Sequence, residues 1–129
     1  MSKKVKFELE FPIHASPQLL YQYMSTPSGL SEWFADNVNS RGEIFTFIWD
    51  DSEEQAKLLS KKSGERIKFR WLHEDDSTYF ELRIQVDDIT KDVSVMVTDF
   101  ADDDADEIEE AKMLWENQIA DLKHVLGSA

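Results

Sequence analysis

Eight acidic side chains crowd into one short stretch near the end of the chain. Several carboxylate oxygens held close together are what a hard divalent cation requires. The stretch does not follow the calcium loop of an EF-hand, because the sixth position counted from Asp102 is Glu107 and the twelfth is Met113; glycine and glutamate belong there. The eight acids are Asp99, Asp102, Asp103, Asp104, Asp106, Glu107, Glu109 and Glu110.

Two further interpretations of the acidic stretch need no metal. Carboxylates stabilise the first turn of a helix through its macrodipole, and Asp104 with Glu107 three residues on is the pattern of a capping box. The second interpretation is an acidic surface that binds a basic partner. We expect a helix start and no metal site.

Residues suited to acid–base or nucleophilic chemistry are few. His14, His73 and His124 lie far apart, and none stands at the spacing of a metal or catalytic motif. The chain has only four glycines, and it contains no nucleophile elbow, phosphate loop or dinucleotide fingerprint. We therefore expect no catalytic residue and no cofactor, and a role other than catalysis.

One carboxyl group is a candidate for the interior. Side chains alternate between the two faces of a strand, and Asp99 shares its parity with the apolar Val95 and Val97. The same rule turns Glu81 outward. Asp99 is thus predicted either to face a pocket or to lie in solvent at the strand end.

Aromatic side chains are the strongest hint of a function. Rings on one face of neighbouring strands, all turned toward one helix, either fill a core or leave an apolar cavity for a small molecule. The candidate cavity residues, with Asp99 as the polar group and Ile119 on the facing helix, are Trp33, Phe45, Phe47, Trp49, Phe69, Trp71, Phe80 and Trp115.

Net charge and composition limit the classes of partner that we expect for this chain. The 129 residues carry a formal charge of −13, which repels nucleic-acid phosphates and anionic lipid. The absence of cysteine excludes disulfides and thiolate metal sites. A charged N-terminus and the lack of a long apolar run favour a cytoplasmic location, without membrane insertion. One hairpin is expected to expose a basic face formed by Lys57, Lys61, Lys62, Arg66, Lys68 and Arg70.

The pattern around these residues predicts an antiparallel sheet. Residues 5–13 alternate apolar and polar side chains, which is typical of a half-buried strand. Ser16-Pro17 and Thr26-Pro27 each place proline after an N-cap, which predicts two short helices. Residues 37–39 lead into a turn at 40–42, and an acidic turn is expected at 50–54. Further strands, joined by short turns, are predicted at 44–49, 55–60, 66–72, 79–86 and 93–97.

The last segment has the periodicity of a helix. Ile108, Ala111, Trp115, Ile119 and Leu122 recur at steps of three or four, and such a helix is long enough to cover the sheet. The predicted fold is α+β: a curved antiparallel sheet of about six to seven strands wrapped round a long C-terminal helix, with two short helices after the first strand. Residues 1–129 are expected to form a single domain.

Both ends of the sequence resemble one family. Residues 13–21 read IHASPQLLY and residues 26–34 read TPSGLSEWF. They resemble the opening of START-like proteins, in the branch related to the heat-shock-protein ATPase activators. Trp115, Ile119 and Leu122 are spaced as in that family's closing helix. The resemblance covers essentially the full chain and implies the helix-grip fold.

Helix-grip relatives bind lipids, polyketides and other hydrophobic molecules between sheet and helix. The resemblance therefore implies a non-enzymatic domain that binds a lipid-like or planar aromatic molecule there. A protein-interaction module resembling the co-chaperone activators is an alternative, and a cavity enzyme of cyclase or aromatase type is another. Fold alone does not choose among them. An enclosed pocket with a buried polar anchor favours the first, a filled core with an exposed apolar patch the second, and a paired acid and base the third.

Overall fold

The structure, a computed structural model, describes residues 3–74 and 76–127. Within these residues, seven strands and three helices follow one another along the chain. They are β1 (Lys4–Pro12), α1 (Pro17–Ser25), α2 (Pro27–Leu30), β2 (Asn37–Arg41), β3 (Ile44–Trp49), β4 (Ser52–Lys62), β5 (Arg66–Trp71), β6 (Phe80–Val86), β7 (Val93–Asp102) and α3 (Ala105–Val125).

The strands form one antiparallel sheet in the order β1-β7-β6-β5-β4-β3-β2. Strands β2 to β7 are a meander of hairpins, and β1 adds to its far edge by pairing with β7, so that Phe7 lies opposite Asp99. The predicted α+β fold, with its two early helices and long final helix, is confirmed.

Three strands extend beyond their predicted bounds, and one of them is β7, which runs to Asp102 instead of ending at residue 97. Residues 37–41 form an edge strand rather than the approach to a turn, because all five pair with β3. Strand β4 begins at Ser52, inside the expected acidic turn, since Glu53 and Glu54 pair with Ile48 and Phe47. It also continues to Lys62 through a register shift between Leu58 and Ser60.

A tight joint between the two short helices fixes the chain before β2. The Thr26 hydroxyl donates to the Gln22 carbonyl at 2.7 Å and accepts from the Gly29 amide at 3.0 Å. A Cβ at Gly29 would meet the Gln22 carbonyl oxygen and lie 2.6 Å from the Tyr23 Cα. Only glycine fits there. The Trp33 indole then donates to the Tyr23 carbonyl at 2.8 Å, which anchors the segment that carries Trp33 and Phe34.

Helix α3 covers the sheet with one face. Trp115, Ile119 and Leu122 are its buried residues, as its periodicity predicts. Asp104 is the N-cap, but its side chain accepts from the Asp106 amide at 2.8 Å, while its own amide donates to the Asp102 carbonyl. The expected reciprocal capping box with Glu107 is therefore not formed.

Candidate functional site

The ten residues predicted to line a cavity come together between the sheet and α3. Phe45 and Phe69 are 5.0 Å apart between ring centroids, Phe69 and Phe80 are 5.3 Å apart, and Phe80 and Trp115 are 6.0 Å apart. Phe47 and Ile119 are fully buried, whereas Trp49 and Trp71 are partly exposed at the ends of their strands. The strands place the rings as their alternation predicts.

Phe34 occupies the middle of this cluster. Its ring centroid lies 5.1 Å from that of Phe47 and 5.9 Å from those of Phe80 and Trp115. The side chain is only 5% exposed. The space between the sheet and the helix is thus occupied by packed rings.

Asp99 is the polar group of this interface. Its Oδ2 accepts a hydrogen bond from the Trp115 indole Nε1 at 2.8 Å, and its Oδ1 accepts one from the Phe100 amide at 2.8 Å. The register opposite the buried Phe7 turns the carboxyl toward the helix side of the sheet. Of the two positions considered for Asp99, the structure adopts the inward one.

The environment of Asp99 favours its neutral form. Burial raises the pKa of the carboxyl from 3.8 to about 6, and the hydrogen bonds from Trp115 and Phe100 lower it only in part. At neutral pH a carboxyl with this pKa is still mostly ionised, so it accepts hydrogen bonds, and it takes up its proton near pH 6.

A small cleft of about 140 Å³ leads to this carboxyl, at the end of the sheet where β7 gives way to α3. The Lys4 ammonium at its rim lies 3.0 Å from Asp102 and 3.7 Å from Glu74. The cleft is lined by Lys4, Trp71, Glu74, Thr78, Tyr79, Asp99 and Phe100.

The acidic stretch does not assemble one carboxylate cluster. Asp99 and Asp102 belong to β7, Asp104 caps α3, and the acids after it lie on the helix. In the part of the chain that the structure describes, no three histidine or acidic side chains are grouped so as to hold a metal ion. No helix there is long and apolar enough to cross a membrane.

Six residues of the site were missed from the sequence: Phe34 and, in the cleft, Lys4, Glu74, Thr78, Tyr79 and Phe100. Phe34 lies in the irregular segment after α2, outside any periodic pattern. Thr78 and Tyr79 follow the loop after β5, and Lys4 lies at the far end of the chain. Only the pairing of β1 with β7, which sets Lys4 opposite Asp102, brings it here.

The comparison with protein families matches residues 1–128 to a START-like superfamily domain. No curated protein matches significantly. A protein of Bacteroides fragilis with a solution NMR structure is 32% identical, covers 97% of this chain and 92% of its own, and gives a TM-score of 0.66.

Two more distant structures share the fold. The Aha1 dimer from Colwellia psychrerythraea is 17% identical over 95% of this chain and 96% of its own, with a TM-score of 0.79. DynU16, a protein of the dynemicin biosynthetic locus, is 14% identical over 98% of this chain and 48% of its own, with a TM-score of 0.73. With the matched family, the sheet gripping α3 and the shared fold, this chain belongs to the START-like superfamily.

Proposed function

We propose that this START-like domain binds a hydrophobic small molecule whose polar group is held by Asp99. The observation that carries the proposal is the unfinished hydrogen bonding of the Asp99 carboxyl. A carboxylate offers about four acceptor positions, and Trp115 and Phe100 take one on each oxygen. A ligand hydroxyl or amine that enters the cleft would use the capacity that remains.

The packing supports one position for the apolar part of such a ligand. Because Phe34 fills the space beside Phe47 and Phe80, the ligand is expected at the mouth of the sheet–helix interface. There the partly exposed Trp71 and Tyr79 line the cleft. A planar aromatic molecule with one hydrogen-bond donor fits these walls, since flat rings stack on indole and phenol faces.

The cleft favours binding over acid–base catalysis. An enzyme of this kind needs a base poised beside the acid. The two charged groups that line the cleft beside Asp99 are Lys4 and Glu74. Glu74 is already held by the Lys4 ammonium at 3.7 Å, and the hydrogen bond of Lys4 to Asp102 raises the pKa of Lys4. Lys4 therefore stays charged and is a poor general base.

Two matched probes test the anchor: 2-naphthol, and 2-methoxynaphthalene, which lacks the donor proton. In NMR titrations of the ¹⁵N-labelled protein, both probes should shift the indole signals of Trp71 and Trp115. We expect 2-naphthol to bind about tenfold more tightly than 2-methoxynaphthalene, because it alone donates a hydrogen bond to a charged group. Asp99→Asn should abolish most of this preference, and Asp103→Asn, an exposed neighbour, should preserve it. Equal binding of both probes, or shifts confined to other tryptophans, would contradict the proposal.

A protein-interaction module is the second candidate, favoured by a basic sheet face. Lys57 pairs with Arg70, Lys62 with Arg66, and Arg66 with Arg83 across neighbouring strands. Paired residues share a face, so cations collect there in a chain of net charge −13, with Lys62 and Arg70 already in ion pairs with Glu65 and Asp76. Among the described residues, the buried Nε of Arg83 has no hydrogen-bond partner. A carboxylate-rich protein segment is the partner that this face fits.

A glutamate-rich peptide, with a lysine-rich peptide of equal length as the control, tests this candidate. At low salt the acidic peptide should shift the NMR signals of backbone amides in β5 and β6. The double variant Arg66→Gln/Arg83→Gln should weaken the binding of this peptide. Tighter binding of duplex DNA of similar charge than of the acidic peptide would assign the face to nucleic acid instead.

A further inference from the structure

A second concave region lies beside the C-terminal half of α3 and shares no lining residue with the Asp99 cleft. This groove of about 500 Å³ runs between the loop after α2, the end of β3 and the C-terminal half of α3. Its size is that of a typical small-molecule site. The residues on which the argument rests are Glu32, Trp33, Asp36, Trp49, Gln118 and Asp121.

Aromatic rings supply one wall of the groove. Trp33 is held by its hydrogen bond to the Tyr23 carbonyl, and Trp49 stacks on Phe47 at 6.3 Å between centroids with an interplanar angle of 20°. Trp49 is partly exposed at the end of β3. Indole faces are the preferred aromatic surface for a cation.

An unsatisfied acceptor belongs to Gln118, which lines the groove from α3, and this oxygen meets a ligand when the side chain turns toward the groove. The side-chain Oε1 of Gln118 is buried and has no hydrogen-bond partner among the residues that the structure describes. A buried acceptor without a donor is unfavourable by about 1–3 kcal/mol, so a donor that reaches Oε1 gains from the interaction. The spacing of Gln118, Asp121 and Val125 sets all three on this side of α3.

Three carboxylates line the groove, and the one basic side chain of the lining among the described residues is His124. Glu32, Asp36 and Asp121 are exposed side chains from two segments of the chain, and no lysine or arginine lines the groove. Within residues 3–74 and 76–127, none of the three is joined in an ion pair. An aromatic wall, an orphaned acceptor and an acidic rim together select a positively charged donor.

We infer that this groove is a binding site for an organic ammonium ion that carries an aromatic or alkyl group. The ammonium lies over Trp49, donates to Gln118 Oε1 and is attracted by Asp121, Glu32 and Asp36. The apolar group packs toward Trp33. The inference is independent of the Asp99 cleft, which presents different tryptophans.

Three small probes separate charge from hydrogen bonding: 2-phenylethylammonium, its N-trimethyl derivative and 2-phenylethanol. The first is charged and donates, the second is charged without a donor, and the third donates without charge. We expect the indole signals of Trp33 and Trp49 to shift, with the first probe binding most tightly and the alcohol at least tenfold more weakly. Equal binding of the alcohol would overturn the inference, and so would shifts confined to Trp71 and Trp115.

Matched variants on one helix separate the groove from the general negative field. Asp121→Asn should weaken the binding of 2-phenylethylammonium about threefold to tenfold, as the loss of one nearby charge predicts. Glu116→Gln removes a charge from an exposed position of α3 outside the groove and should have less than a twofold effect. Gln118→Leu should reduce the preference for the first probe over its trimethyl derivative. Equal effects of Asp121→Asn and Glu116→Gln would overturn the inference.

Discussion

The indole nitrogen of Trp115 lies 2.8 Å from the Asp99 carboxylate and joins the middle of α3 to the end of β7. This hydrogen bond connects the helix that closes the domain with an acidic group that lies inside the cluster of rings predicted from sequence. The hydrogen bond holds the Asp99 carboxyl in a fixed position at the cleft, because Trp115 is itself packed against Phe80 and Phe34.

Removal of this donor should destabilise the domain. Trp115→Phe keeps most of the ring but leaves Asp99 Oδ2 without its partner, which is expected to reduce the free energy of unfolding by about 1–3 kcal/mol at neutral pH. Urea unfolding followed by circular dichroism measures the change. Trp49→Phe, in a partly exposed ring, is the control and should have a smaller effect. Equal losses would mean that the hydrogen bond contributes nothing beyond ring volume.

The pKa of Asp99 predicts an unusual pH dependence. Because burial raises it from 3.8 to about 6 in the folded state, the folded protein binds this proton more readily than the unfolded chain, and the contribution of this group to stability falls as pH rises between these values. At neutral pH the difference corresponds to about 3 kcal/mol at most.

Asp99→Asn removes this titration. An amide has one oxygen, so the variant also loses one of the two hydrogen bonds that Asp99 accepts from Trp115 and Phe100, a loss that varies little with pH. Between pH 4 and pH 7 the stability of the variant relative to the wild type should therefore rise by up to about 3 kcal/mol. Asp103→Asn, at an exposed position, should give a relative stability with little pH dependence. A relative stability of Asp99→Asn that rises on acidification would show that the folded-state pKa is lowered instead.

The grip of α3 on the sheet depends on its buried face. Ile119 is 1% exposed, so Ile119→Ala should reduce the free energy of unfolding by about 2–5 kcal/mol, as deletion of core methyl groups does. Met113 on the same helix is 58% exposed, and Met113→Ala should change stability by less than about 0.5 kcal/mol. A loss below that level for Ile119→Ala would mean that α3 does not pack as described.

The start of α3 should respond to capping and not to metal. Asp104→Ala removes the hydrogen bond to the Asp106 amide and is expected to destabilise the domain by about 1 kcal/mol, whereas Asp104→Asn retains most of the cap. Millimolar calcium or magnesium should leave the melting temperature nearly unchanged. A saturable rise at micromolar metal would reveal a site, since a bound ion stabilises the folded state.

Alternation and helical period predicted most of the fold. Strands with one apolar face, such as Arg66–Trp71, alternate clearly because one side is buried. Asn37–Arg41 was not predicted as a strand, because four of its five residues are exposed at the sheet edge and its side chains therefore do not alternate between apolar and polar. Strand β4 was shortened because its acidic start is polar, although pairing with β3 makes it a strand.

The site was less predictable than the fold. Parity brought Asp99 inward, and the periodicity of α3 brought Trp115 toward it. Phe34 could not be placed, since its position depends on the joint at Gly29 and follows no repeat. The outcome that mattered most, whether rings fill the interface or leave a cavity, depends on that one side chain.

The proposal that Asp99 anchors a small molecule is tested most directly by the titration of its own carboxyl carbon. ¹³C NMR of the selectively labelled protein, assigned with Asp99→Asn, should give a pKa near 6 without ligand. With 2-naphthol bound, the pKa should be lower than with 2-methoxynaphthalene bound, because a donated hydrogen bond stabilises the carboxylate while both probes exclude water alike. A carboxyl that titrates near 3.8, or one whose pKa is the same with both probes, would contradict the account.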